Sequence, residues 1–241
     1  MDFGGGDNVG GGLDLIQWYM DIPPISRVYF TSAVLTTAGC AMDIISPYSL
    51  YFNFDLIFVK GQVWRLFTSF LFFGTFSFQF MFHMYFLVRY CRLLEEGDFR
   101  GRRANFALML LFGIVFVSFF APFMRSNFLG NTLSTMMTYV WGRRNEDVKL
   151  SILGVFTCTA PYLPWVMLCF TICLGGDGVV TDLVGIMVGH LYYFLEFVYP
   201  VLADIRDWRI KRILEPPRIL TWICGDNGGM NQPDHAIWHQ E

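Results

Sequence analysis

The sequence predicts an all-α membrane protein, a bundle of six transmembrane helices with both termini in the cytosol. Three observations carry that prediction. Hydrophobic residues make up 54% of the 241 and charged residues only 15%, where a soluble domain would carry about a quarter. Apolar windows long enough to enter a bilayer recur along the chain. Lysines and arginines are sorted to alternate connections between those windows.

Taken in order, residues 1–26 form a flexible tail, opening "MDFGGGDNVGGG", and a short interfacial piece around Leu13 to Met20. Glycines and acidic residues stand where a signal peptide would need a basic start and an apolar stretch. Residues 27–202 hold the membrane domain, with spans at 28–45, 66–88, 104–122, 127–141, 150–174 and 179–201. About 20 apolar residues, at 1.5 Å each, cross a ~30 Å hydrocarbon layer. The fourth span, "NFLGNTLSTMMTYVW", is short and hydroxyl-rich, so it is expected to lie surrounded by the others. The long loop "SPYSLYFNFDLIFVKGQVW" is aromatic and weakly charged. It is expected to sit half-buried in the outer face of the membrane, with Tyr48, Tyr51 and Trp64 at headgroup level. Pro161 and Pro164 are expected to bend or loosen the fifth span and open the bundle sideways. Residues 203–241 form a polar cytosolic tail in which "EPPRI" stops any continuing helix.

With both ends in the cytosol, the opposite side keeps only Lys60, Arg65 and Arg125 of the 17 basic residues. The clusters "RYCRLLEEGDFRGRR" and "GRRNEDVK" then both face the cytosol, as the positive-inside tendency requires. An odd number of spans would put some of these clusters on the wrong side. A net charge of −3 without a basic patch excludes a nucleic-acid partner. The six cysteines show no CxxC and no zinc spacing, and they read as packing residues. No cofactor, metal site or catalytic residue is expected.

Residues on a helix turn by about 100° each, so spacing decides which share a face. As one continuous helix, the second span would place Arg65, Thr68, Thr75, Gln79 and His83 within roughly 80° of each other. In the sixth span Asp182, Gly185, Gly189, Tyr193 and Glu196 fall within a similar arc of about 80°. Polar groups at membrane depth are costly unless they face protein or water. The two stripes therefore predict either interhelical hydrogen bonds or a hydrated intramembrane cavity along a substrate path. Gly185 and Gly189 form a GxxxG pair suited to close helix approach. His190, on the flank of its stripe, reads as a core histidine.

The blocks "GQVWRLFTSFLFFG", "FHMYFLVRYCRLLEEGDFRGRRANF", "YVWGRRN", "PYLPWVML" and "LVGIMVGHLYYFLE" together resemble the Derlin family. The resemblance runs from about Asp14 to about Ile219. It implies a rhomboid-like fold of six transmembrane helices in the endoplasmic reticulum membrane, without protease activity. It further implies work in retrotranslocation of misfolded proteins to the cytosol for degradation. The implied partners are those substrates, the lipid bilayer, a membrane ubiquitin ligase and a cytosolic AAA+ ATPase, with homo- or hetero-oligomers left open. The family's signature elements fall on Trp64 with Arg65 and on Gly185 with Gly189, both in scaffold roles. Active rhomboids pair a GxSG serine with a histidine three residues before the first glycine of GxxxG. Here "LGNTLSTMM" has no glycine after Ser134, and the second position is Asp182. The tail "TWICGDNGGMNQPDHAIWHQE" lacks the order of the family's ATPase-binding box, so indirect ATPase recruitment is expected.

The leading expectation is a non-enzymatic retrotranslocation component whose polar cavity and short fourth helix thin or hydrate the bilayer. The alternatives are an adaptor acting through GxxxG, or, less favoured, an intramembrane serine protease using Ser134 and His190. A small-solute transporter is disfavoured by the lack of a duplicated half or an ion site.

Overall fold

The computed structural model describes residues 16–76, 78–124, 126–152, 156–173, 178–208 and 213–225. Residues 16–20 are helical, and the first long helix, α1, spans Pro24–Ala41. It starts four residues before the expected span because Pro24 occupies its first turn, where a missing N–H costs nothing. The buried carboxylate of Glu95 caps it, accepting from the Ile25 and Ser26 amides at 3.2 and 2.8 Å and from Ser26 Oγ at 2.7 Å. The following loop contains the short helices α2 (Phe54–Phe58) and α3 (Trp64–Thr68). Asn53 caps α2, its side chain accepting from the Leu56 amide at 3.1 Å.

The second span is not one helix, which corrects the sequence reading. Helix α3 ends at Thr68, the chain runs irregularly past Gly74 at φ +103°, and α4 begins only at Phe78 and ends at Leu93. The cause is tertiary. The Ser69 carbonyl accepts from the Leu129 amide at 2.9 Å, and the Phe70 carbonyl accepts from the Tyr29 hydroxyl at 3.0 Å. A Cβ on Gly130 would lie 2.9 Å from the Phe70 carbonyl, so the start of the next-but-one helix wedges against the break.

After a π-helical turn at 94–98 come α5 (Arg103–Phe120) and α6 (Gly130–Arg144). The expected fifth span is also revised. An antiparallel hairpin, β1 (Lys149–Ile152) with β2 (Phe156–Thr159), pairs Lys149 with Thr159 and Ile152 with Phe156. The apolar run "KLSILGVFTCT" satisfied the hydropathy window, but its Thr and β-branched content suits strands as well. The fold is therefore mostly helical rather than all-α. Pro161 and Pro164 lie at the 3₁₀ turn 160–162 and the first turn of α7 (Leu163–Cys173), where they start the helix instead of kinking it. Helix α8 (Val179–Tyr193) continues through a π-helical turn at 194–198 into α9 (Tyr199–Ile205), and α10 (Arg218–Ile223) follows.

Among the described residues, two helical stretches are long and apolar enough to cross a membrane, Arg103–Phe123 and Val179–Ile205. Ala160–Cys173 is apolar but shorter. Helix α6 occupies the centre, touching α4, α5, α7 and α8. Leu133, Met136, Met137 and Val140 are almost wholly buried on it. Two glycines admit this packing: Gly113 of α5 faces Leu133 and Met136, and Gly142 lies against the Ala160 carbonyl.

Candidate functional site

Arg65 and Thr68 belong to a clamp on the long loop, away from the other members of their expected stripe. Arg65 is buried on α3 and donates to Gln62 Oε1 at 2.6 Å and to the Tyr48 and Tyr51 carbonyls at 2.9 and 3.2 Å. Its guanidinium lies 4.9 Å from the centre of the Tyr51 ring. Thr68 Oγ1 donates to the Leu50 carbonyl at 3.2 Å, while Trp64 is largely exposed. Thr75 is exposed in the bend before α4. Gln79 is on the first turn of α4, with its side chain outside the described residues. Because the helix breaks between Thr68 and Phe78, the single face joining Arg65 to His83 does not exist.

Among the described residues, helices α6 and α8 share the most extensive helix–helix seam. A Cβ on Gly185 would fall 2.7 Å from the Thr132 carbonyl and 2.8 Å from Thr135 Cβ; one on Gly189 would fall 3.0 Å from Tyr139 Cβ. The GxxxG face is thus filled by α6 of the same chain and is not free for a partner helix.

A polar cluster lies beside that seam. Asp182 on α8 accepts from Thr135 Oγ1 of α6 at 3.1 Å and from Thr171 Oγ1 of α7 at 2.7 Å, so one carboxylate ties three helices. His83 lies on α4, which packs against α6. Its Nε2, together with Asn131 Oδ1 and Ser134 Oγ of α6, is buried without a protein hydrogen-bond partner among the described residues. Buried orphans of this kind cost free energy in a dry interior, and a polar, water-accessible interior removes that cost. Tyr193 at the end of α8 and Glu196 in the π-helical turn after it lie further along the chain, and the Arg143 guanidinium sits 5.4 Å from the centre of the Tyr193 ring.

Sequence reasoning missed Asn131, Thr135 and Thr171. The signal was present for two of them: Asn131, Ser134, Thr135 and Thr138 recur at helical spacing on one face of α6.

The proposed dyad does not meet. His190 is exposed, and its Nδ1 is 2.8 Å from the hydroxyl of Tyr139, five residues, about 7.5 Å of helix rise, beyond Ser134. Among the described residues no group of three or more His, Cys, Asp or Glu is arranged to hold a metal ion.

At the end of α6, Arg144 joins both π-helical turns. Its Nε donates to Asp98 Oδ1 at 3.3 Å, and its guanidinium lies 4.4 Å from the Phe197 ring centre. Burial pushes the Asp98 carboxyl above the usual carboxylate range, with Arg144 opposing that only in part.

A model of the Der1-like family matches residues 22–208. Derlin-2.2 of Arabidopsis thaliana is 47% identical over 221 residues, covering 87% of this chain and 88% of the relative. Derlin-2.1 of Zea mays is 46% identical over 231 residues, covering 91% and 90%. A probable derlin-2 homolog of Dictyostelium discoideum is 40% identical over 224 residues, covering 90% and 84%.

Proposed function

The chain belongs to the Der1-like family, and from that premise we propose that it serves endoplasmic-reticulum-associated degradation as a six-span protein of that membrane. It helps misfolded chains reach the cytosol without catalysing a reaction. It does so by offering a polar interior at membrane depth, and it works beside a membrane ubiquitin ligase and, through another subunit, an AAA+ ATPase.

The observation that carries this reading is the set of polar groups on the packed helices α4, α6 and α8: His83, Asn131, Ser134 and Asp182. Three of its buried polar atoms have no protein partner among the described residues, although hydrophobic side chains dominate the surrounding helices. A translocating peptide carries one donor and one acceptor per residue, and each costs several kcal/mol in hydrocarbon when left unpaired. Orphaned side-chain groups are what such a backbone could pair with in passing. Two further features favour local thinning. Helix α7 has 11 described residues, about 16 Å of rise, and nine residues separate α3 from α4. The engagement of His190 with Tyr139 leaves the Ser134–His190 pair unformed, which supports a non-enzymatic role.

The test is the rate at which a misfolded luminal reporter is extracted in cells carrying His83→Leu with Asn131→Leu. Extraction should slow several-fold while the amount of folded protein stays unchanged. Wild-type extraction by well-folded variants would reject the polar path.

A further inference from the structure

A second polar site opens on the face that the sequence orients toward the cytosol. A cavity of about 560 Å³ lies between the start of α1, the π-helical turn and the start of α5, lined by Pro23, Pro24, Glu95, Glu96, Arg100, Gly101 and Arg103. That volume falls in the usual range for small-ligand sites, about 300–1,000 Å³. Its charges are unequal in availability. Glu95 is occupied by three hydrogen bonds at the start of α1, and Glu96 is paired with Arg92 at 2.9 Å. Arg100 and Arg103 are exposed and form no ion pair among the described residues. The tight turn at 99–102, with Gly101 at φ +73°, lies between these two arginines, and both line the cavity. The charge of Glu96 is matched by Arg92, so the two unpaired guanidiniums outweigh the one carboxylate of Glu95 and leave the cavity net cationic, which favours an anion, and guanidinium geometry suits a phosphate.

The apolar surroundings identify the source of that phosphate. Pro24 lines the cavity, and one face of α1 runs from it through Val28 and Leu35, at 67% and 65% exposure. These three residues lie within about 40° of each other around the helix axis. An acyl chain anchored at the cavity would lie along that stripe.

We propose that this cavity binds the phosphate headgroup of an anionic membrane lipid, with Arg100 and Arg103 as its ligands and the α1 face as the bed of one acyl chain. The bound lipid would tie α1 to the loop that leads into α5. The proposal takes from the functional reading only the side of the membrane on which the cavity lies, and its test involves no extraction assay.

The test is native mass spectrometry of the full chain in a non-ionic detergent, titrated with dioctanoyl phosphatidic acid, dioctanoyl phosphatidylcholine or inorganic phosphate. One phosphatidic acid should bind per chain. Each arginine beside an anionic lipid contributes roughly fivefold, so R100Q/R103Q should weaken binding about 25-fold. R100K/R103K should keep most of it, which separates lost charge from lost fold. The control R89Q/R218Q removes two exposed cytosolic charges outside the cavity and should stay within about twofold of wild type. Equal losses in the two Gln doubles would overturn the site in favour of diffuse attraction. Phosphatidylcholine binding as tightly as phosphatidic acid would overturn the anion preference. Inorganic phosphate binding as tightly would overturn the lipid assignment in favour of a free-phosphate site.

Discussion

Gly185→Ala isolates the packing of the central seam. The new Cβ would stand 2.7 Å from the Thr132 carbonyl oxygen and 2.8 Å from Thr135 Cβ. Ordinary contact begins near ~3.5 Å, so α6 and α8 must part by about 0.7 Å. The obstacle is backbone, which cannot rotate away. Forced separation of this size costs about 1–3 kcal/mol. It also stretches the Thr135–Asp182 hydrogen bond, now 3.1 Å, an interaction averaging about 0.6 kcal/mol inside membranes. Better helix propensity returns up to about 1 kcal/mol. The net expectation is a loss of about 1–2 kcal/mol. Gly189→Ala meets Tyr139 Cβ and the Met136 carbonyl at 3.0 and 3.1 Å, a clash that small adjustments relieve, so it should be near neutral. Equilibrium unfolding by steric trapping in bicelles measures both variants. The reasoning fails if Gly185→Ala is as stable as wild type, or if Gly189→Ala costs more.

Arg65→Gln should loosen the 48–60 loop by about 2 kcal/mol, because three acceptors lose a charged donor. Limited proteolysis should show faster cleavage there, with Trp64→Ala much milder. Glu95→Ala should cost about 1–2 kcal/mol by uncapping α1, seen as faster amide exchange at Ile25 and Ser26. Asp98 binds its proton more tightly folded than unfolded, so its stabilising contribution is full below the ordinary carboxylate range and is lost as pH rises through the raised value. Wild type should therefore gain stability relative to Asp98→Asn as pH falls from about 7 to about 4, and parallel pH profiles would contradict this. His83→Leu should leave stability unchanged or raised, since it removes a buried orphan, and a melting temperature several degrees lower would contradict that.

Residues 104–122 and 179–201 were legible as helices because an uninterrupted apolar run leaves the backbone few alternatives. Thr68 to Phe78 was not. The break there depends on Leu129 and Tyr29 taking the Ser69 and Phe70 carbonyls, partners 41 or more residues distant. Residues 149–159 misled for another reason: average hydropathy does not separate a hairpin from half a helix. Asp182 was readable as a lone carboxylate in an apolar run. Its partners Thr135 and Thr171 required knowing the register of α6 and α7 against α8, which periodicity within one helix does not contain. The scaffold role of Arg65 came from the family resemblance, while helical spacing alone placed it in a stripe that the break after Thr68 dissolves.

The central claim is that the interior beside Asp182 forms part of a protein path. The most direct measurement is in-cell photocrosslinking with probes at His83 and Asn131 inside, and at Met81 and Tyr85 on the exposed face of α4, during extraction of a misfolded luminal reporter. Reporter adducts are expected at His83 and Asn131, and lipid adducts at Met81 and Tyr85. Lipid or intramolecular adducts alone at the two interior positions would contradict it.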